Sequence, residues 1–281
     1  MFKRIVVPLD GSGRAERALP IAARLARASG GSIFLVRVVS TAPASLPSAP
    51  ARPLLVQTVG ETDRVLAESY LKGVAASNLL SGISVQTVVP VGLVSPSILS
   101  VAIDTHADMI VICSHGFTGV KRWWMMGSVA AKVARFAHIP VLVLREGGPV
   151  PEERHPGEQP LRVLVPLDGS TYARAALVPA AELAAALAAP GQGSLHLTHV
   201  VQSAQDAKGP SRAGSAAQDT EAGENMAREY LRATIQQIHD SAIADLNLVL
   251  TSSVSANEDI AQGIIRVAED GGNGEGAEVF G

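Results

Sequence analysis

The chain has a single cysteine, Cys113, so no internal disulfide can form, which fits a reducing, cytoplasmic setting. Aromatic residues make up 4% of its 281 residues and charged residues 17%, so its cores must be built mainly from aliphatic side chains and alanine. Positive charge is not in surplus. Lys and Arg number 23 against 26 Asp and Glu, a formal net charge of −3, and no basic run is long enough to track a phosphate backbone, which argues against nucleic acid. No apolar stretch reaches the roughly 18 residues that a membrane span requires, and Met-Phe-Lys-Arg leads straight into a strand pattern instead of a secretory signal. A Gly-Lys-Ser/Thr triplet is missing, which excludes a Walker-type phosphate loop. No metal site is expected: His196 and His199 lie on one predicted strand at a spacing that points them to opposite faces.

What is present is a 47% hydrophobic chain with one phrase written twice. Val7-Pro8-Leu9-Asp10-Gly11-Ser12 recurs unchanged as Val165-Pro166-Leu167-Asp168-Gly169-Ser170, each time closing an apolar run and opening an Ala-rich one. Such an identity in matching context marks a duplicated domain. The expected organisation is a first domain over 1–146, a linker over 147–160 rich in Pro, Gly and charge, and a second domain over 161–281.

In the first copy, β-branched runs at Lys3 to Leu9, Ser32 to Val39, Gly82 to Pro90, Asp108 to Cys113 and Val141 to Leu144 read as strands. Helical spacing predicts helices over 14–29, 61–80, 97–105 and 128–137. The stretch from Ser40 to Pro53 reads as a loop. Strands alternating with helices imply right-handed crossovers and a doubly wound parallel α/β sheet. The second copy repeats the pattern at 161–167, 172–189, 194–201, 221–244, 246–254 and 259–268, with a polar insert over 203–220 that reads as disordered. It reaches Gly281 without a counterpart of the last two strands, so strand Leu161 to Leu167 is expected to lie at a sheet edge.

Ligands of such sheets bind at the carboxyl ends of the strands, where strand order reverses. A dinucleotide fingerprint fails there: Glu16 takes the third glycine's place and Asp10 would repel a pyrophosphate. The loop Ser114-His115-Gly116-Phe117-Thr118-Gly119, running on to Gly127-Ser128 at a helix start, is the better phosphate candidate. Glycines allow close backbone approach, and a helix N-terminus supplies free N–H donors. Ser128 reads equally as a helix cap, Asp10 as a turn former bonded to Gly11-Ser12, and His115 as a structural hydrogen-bonding residue. Trp123-Trp124-Met125-Met126 reads as core packing or as an exposed apolar patch that docks a partner.

Val-Pro-Leu-Asp-Gly-Ser after a strand, then Ser-His-Gly, a loop, Gly-Ser-Val-Ala and Ile-Pro-Val-Leu-Val-Leu, resembles the universal stress protein family across the first copy and most of the second. The resemblance implies strand order 3-2-1-4-5 in the first domain, and a second domain lacking the last two strands. It also implies ATP, alone or with Mg2+, as ligand, since many members bind ATP and others no nucleotide. Carried over, Pro8 and Asp10 meet ribose or adenine, Val38 and Val39 the adenine, and Cys113, His115, Gly116, Gly127, Ser128 and Val129 the ribose and phosphates. Two departures stand out: Cys113 occupies a glycine position, and ten residues, one more than the family spacing, separate Gly116 from Gly127. No enzyme activity is expected, because no nucleophile with an adjacent base can be placed at the site. The resemblance implies a cytoplasmic stress-response module that forms a homodimer or pairs its own two domains. The alternative is an interaction scaffold that dimerises without nucleotide.

Overall fold

A strand that loses both faces to neighbours can carry apolar residues at successive positions, and β1 (Arg4–Pro8) does so: Ile5, Val6 and Val7 are all fully buried. The computed structural model describes residues 2–40, 53–114, 126–145, 161–203, 210–270 and 278–280. The expected linker 147–160 and most of the loop after Ser40 lie outside the described residues. The chain forms two compact units, Met1–Pro156 and Gly157–Gly281.

In the first unit β1 is followed by α1 (Gly13–Glu16), α2 (Ala18–Ser29), β2 (Ser32–Val36), the short β3 (Val39–Ser40), α3 (Pro53–Ala75) and β4 (Ser84–Val88). The short β5 (Val91–Gly92), α4 (Val94–Asp104), β6 (Met109–Cys113), α5 (Ser128–Phe136) and β7 (Val141–Leu144) complete it. The five main strands are parallel in the order β4-β2-β1-β6-β7. With β3 and β5 set aside, this is the expected 3-2-1-4-5. On one face Val6, Phe34, Val36 and Ile110 pack with Ile98 and Val101 of α4 and Val133 of α5.

Two differences from the expected elements have local causes. The helix predicted over 14–29 is divided between α1 and α2, because Pro20 has no N–H to give the Glu16 carbonyl, which opens the ladder at Arg17. The third helix starts at Pro53, eight residues before the predicted 61, with proline in the first helical position where its fixed φ suits the helix. At the end of α2, Gly30 takes φ +61 and Gly31 N–H bonds the Ala26 carbonyl at 2.8 Å. A Cβ on Gly31 would lie 2.4 Å from the Phe2 carbonyl oxygen, so only glycine lets β1 and β2 start side by side there.

The second unit contains β8 (Arg162–Pro166), α6 (Thr171–Arg174), α7 (Leu177–Ala188), β9 (Ser194–Gln202), α8 (Pro210–His239), β10 (Val249–Asn257), α9 (Ile260–Glu269) and β11 (Glu278–Phe280). Its sheet order is β11-β10-β9-β8, with β8, β9 and β10 parallel and β11 antiparallel. Pro179 separates α6 from α7 as Pro20 does in the first unit. Among the described residues β8 is an edge strand, as expected. Two features differ from the sequence reading. Residues 210–220, read as disordered, form the first turns of α8, and β11, which no apolar run announced, pairs with β10.

The two sheets bury different chemistry on corresponding faces. One face of the second sheet is apolar, with Val165, Leu195, Leu197 and Leu250 under α7 and α8. The other carries His196, Thr198, Thr251 and Ser253, all buried, at the register positions that hold Phe34, Val36, Gln86 and Val88 in the first sheet. His196 Nδ1 lies 2.6 Å from Thr251 Oγ1 and Nε2 2.9 Å from Ser253 Oγ, tying β9 to β10. Burial, assisted by the Arg162 charge, pushes the imidazole pKa down to about 4, so this histidine is neutral in the fold.

Candidate functional site

Strand order reverses between β1 and β6 in the first unit, so the carboxyl ends of these strands flank the position at which sheets of this kind have their ligand cleft, one lip each. On the β1 side, Pro8 is buried at the strand end and Asp10 is exposed just beyond it. Asp10 Oδ1 accepts hydrogen bonds from Ser12 N–H at 2.9 Å and Ser12 Oγ at 2.6 Å. Ser12 Oγ in turn accepts from Ala15 N–H at 3.2 Å and caps α1. The turn-forming reading of Asp10 is therefore present in the fold, and it leaves the carboxylate at the surface, where a ligand can also meet it.

The β6 side leads through Ser114 to residues 115–125, outside the described residues, so the expected ligands His115 and Gly116 and the Trp123-Trp124-Met125 patch are not placed. Met126, the last of that patch, is 45% exposed. The chain then returns beside the strand end: Gly127 N–H bonds the Ser114 carbonyl at 2.8 Å, which anchors the start of α5. Gly127, not Ser128, is the N-cap residue, and as a glycine it brings no side-chain cap of its own. Ser128 is the first helical residue and exposed, with Val129 half-buried behind it against the α4–α5 core. A helix start with glycine at the N-cap and an exposed hydroxyl on its first turn is suited to an anion, since N–H groups and the helix dipole both favour negative charge there.

Val38 and Val39 lie where β2 breaks and β3 begins. Val38 is half-buried, while Val39 is buried and gives its N–H to the Pro90 carbonyl at 2.9 Å. A base docking there meets Val38 by packing and cannot take the Val39 donor. Cys113 ends β6 with its thiol turned to the Ala15 carbonyl, 3.7 Å away. Burial pushes the thiol pKa up to about 11, against a lowering effect of Arg17, so it is neutral near pH 7 and carries no thiolate reactivity.

One cluster beside the cleft was not singled out as a site by the sequence reading. The Arg37 guanidinium lies 4.9 Å from the centre of the Tyr70 ring, and its nearest nitrogen is 3.2 Å from where a Cβ on Gly11 would stand. Gly11 has φ +88, so the turn beneath Arg37 needs glycine for conformation as well as space. Tyr70 donates its hydroxyl to Glu16 Oε1 at 2.8 Å, and burial followed by that acceptor raises its pKa, keeping it a donor. The available signal was the echo of Tyr70-Leu71-Lys72 in Tyr230-Leu231-Arg232, which marks one position kept in both copies.

The second copy presents only one lip. Asp168 Oδ1 accepts from Ser170 N–H at 2.8 Å, and this bonding to Ser170 holds its pKa below the ordinary carboxylate value. Among the described residues no counterpart of β6 or α5 stands opposite it. No group of His, Cys, Asp or Glu among the described residues is arranged to hold a metal ion.

A parallel sheet whose order reverses between β1 and β6, with Asp10 beyond one strand end and the start of α5 beyond the other, is a doubly wound α/β fold. A profile of the universal stress protein family matches residues 1–145 and 161–272, and the chain belongs to that family. It is 30% identical over 147 residues to universal stress protein MJ0531 of Methanocaldococcus jannaschii, covering 52% of this chain and 84% of that protein. It is 31% identical over 189 residues to universal stress protein Rv2623 of Mycobacterium tuberculosis, covering 66% of this chain and 57% of that protein's length. The crystal structure of a universal stress protein from Archaeoglobus fulgidus covers 97% of this chain and 85% of its own, with a TM-score of 0.62 at 18% identity, a likeness of fold.

Proposed function

We propose that the first unit binds ATP in the cleft between β1 and β6 and that occupancy of this cleft is the signal the protein carries in a stress response. The observation that supports this most is the start of α5: Gly127, pinned to Ser114, is the N-cap and brings no side chain of its own, and Ser128 is exposed on the first turn. These groups would hold the phosphates, with Asp10 across the cleft accepting from the ribose hydroxyls and Val38 packing on the base. A bound ATP supplies a polyanion and a flat base, and Mg2+ would accompany it by neutralising the phosphates.

The role is binding and not turnover. Cys113 is held as a neutral thiol and Asp10 spends one oxygen on its own turn, so neither is set up as a nucleophile or base. Calorimetric titration of the chain and two variants tests the proposal. Asp10→Ala is expected to weaken ATP binding by about tenfold or more, a lost charged hydrogen bond, while Asp168→Ala leaves affinity unchanged. Equal loss in both variants, or no heat from the parent chain at millimolar ATP, would remove the nucleotide reading and leave the dimerising scaffold.

A further inference from the structure

A carboxylate on a turn keeps a fixed direction only if the turn is braced from outside, because a glycine within it leaves the backbone free to move. Gly11, at φ +88, is that glycine, and its brace comes from β2 and α3. Arg37 follows the last residue of β2, its N–H on the Val88 carbonyl at 3.1 Å, and its guanidinium reaches back over the turn. From the point where a Cβ on Gly11 would stand, Nη1, Cζ and Nη2 are 3.2, 3.3 and 3.3 Å away. Nearly equal distances to three atoms mean that the guanidinium lies with its flat face on the turn. The same group is 4.9 Å from the centre of the Tyr70 ring, within cation–π range, and Tyr70 in turn donates to Glu16 Oε1 at 2.8 Å. Contacts therefore run unbroken from the turn through Arg37 and Tyr70 to Glu16 of α1. Asp10 belongs to the same electrostatic group, since its charge and that of Arg37 act in opposite directions on the Tyr70 hydroxyl.

The second unit has the same turn without the brace. His199 takes the register position of Arg37, and Arg174 that of Glu16. The His199 ring meets Tyr230 edge-on with centroids 6.2 Å apart, and burial pushes its pKa below the ordinary value, so near pH 7 it supplies no cation. Arg174 donates to Gln237 Oε1 instead, and among the described residues neither the buried Tyr230 hydroxyl nor the buried His199 Nδ1 has a hydrogen-bond partner. A Cβ on Gly169 would meet no described residue within 4 Å.

We propose that Arg37 is a positioning residue of the nucleotide site: lying flat on the Gly11 turn and against Tyr70, it holds the Asp10 carboxylate in its binding direction before ATP arrives. It acts through Asp10 and not on the ligand. A braced turn has less conformational freedom to lose when the ribose binds, so affinity rises without a new contact. Arginine is needed because a planar guanidinium can meet a peptide turn and an aromatic ring together, which the compact ammonium of lysine cannot. The proposal rests on the nucleotide reading of the first unit.

Calorimetric titration with ATP and amide exchange of the unliganded full chain test it together. Arg37→Ala is expected to weaken ATP binding by about fivefold or more. In an Asp10→Ala background the same change is expected to add almost nothing, because the two residues work as one unit. Arg37→Lys, which keeps the charge and the apolar stem and so guards against a general loss of fold, is expected to weaken binding too, and His199→Ala to leave it unchanged. Without ligand, exchange of the Ser12 amide, bonded to Asp10 Oδ1 at 2.9 Å, is expected to quicken in both Arg37 variants while that of Ser170 stays as in the parent. Parental affinity in either Arg37 variant, a loss that adds in full to that of Asp10→Ala, or an unaltered Ser12 exchange rate would each overturn the role of Arg37 while ATP binding stood. A parent chain that takes up no ATP would overturn the nucleotide reading itself, and the role of Arg37 with it.

Discussion

Asp10 holds its own turn and stays exposed, so the ligand role proposed for it does not compete with that turn. Such a residue is legible in sequence as a turn former, and its repetition in both copies draws attention to it, yet nothing in sequence distinguishes Asp10 from Asp168. The difference lies in what stands opposite. His196 was read as one half of a poor metal pair, and that much follows from strand alternation. Its burial between Thr251 and Ser253 depends on a strand 55 positions away and could not be read locally. It makes stability of the second unit depend on pH. The folded pKa, about 4, lies below the usual value of 6.5, so the unfolded chain binds the extra proton between them. Stability is full above pH 6.5 and falls as pH drops toward 4. Urea unfolding at pH 7 and pH 4.5 should show the lower midpoint at the acid value, and His196→Gln should narrow the gap; equal gaps in parent and variant would contradict the assignment.

At the scale of elements, the parallel strands were legible because strands buried on both faces must be continuously apolar. Helix boundaries were less so. The breaks at Pro20 and Pro179 follow from a missing N–H that a 3.6-residue periodicity does not register. The first turns of α8, over 210–220, are helical although their small and polar composition reads as disorder. Paired glycines after an Ala-rich run mark a helix end, but the closeness of Gly31 to the Phe2 carbonyl belongs to the pairing of β1 with β2. Gly31→Ala should therefore cost about 1 to 3 kcal/mol by forcing those strands apart, against a few tenths or less for Ala at an open site. Chemical denaturation of the variant checks this, and an unchanged unfolding free energy would show that β1 can shift freely.

Across the whole molecule, one duplicated plan takes two structural forms. The first unit completes its sheet on both sides of β1 and so gains a switch-point cleft, whereas in the second, among the described residues, the equivalent strand is an edge and the equivalent face is lined with Ser, Thr and His. The strand order is what the family resemblance implies, and the helix start at Ser128 is legible from the glycine-bearing loop that leads to it. The capping by Gly127 and the spent N–H of Val39 were not, since both depend on main-chain bonds between distant segments. Ligand linkage carries the reading to the level of stability: ATP at a hundredfold excess over its dissociation constant should stabilise the parent chain by about 2.7 kcal/mol, and Asp10→Ala at the same concentration by clearly less. Thermal unfolding with and without ATP measures it, and equal stabilisation of the two would take Asp10 out of the site. The most direct measurement is amide hydrogen exchange of the full chain with and without saturating ATP. Protection is predicted at the turn over 10–12 and at the first turn of α5 over 128–130, with no change over 168–170. Protection confined to the second unit, or none in either, would contradict a nucleotide site between β1 and β6.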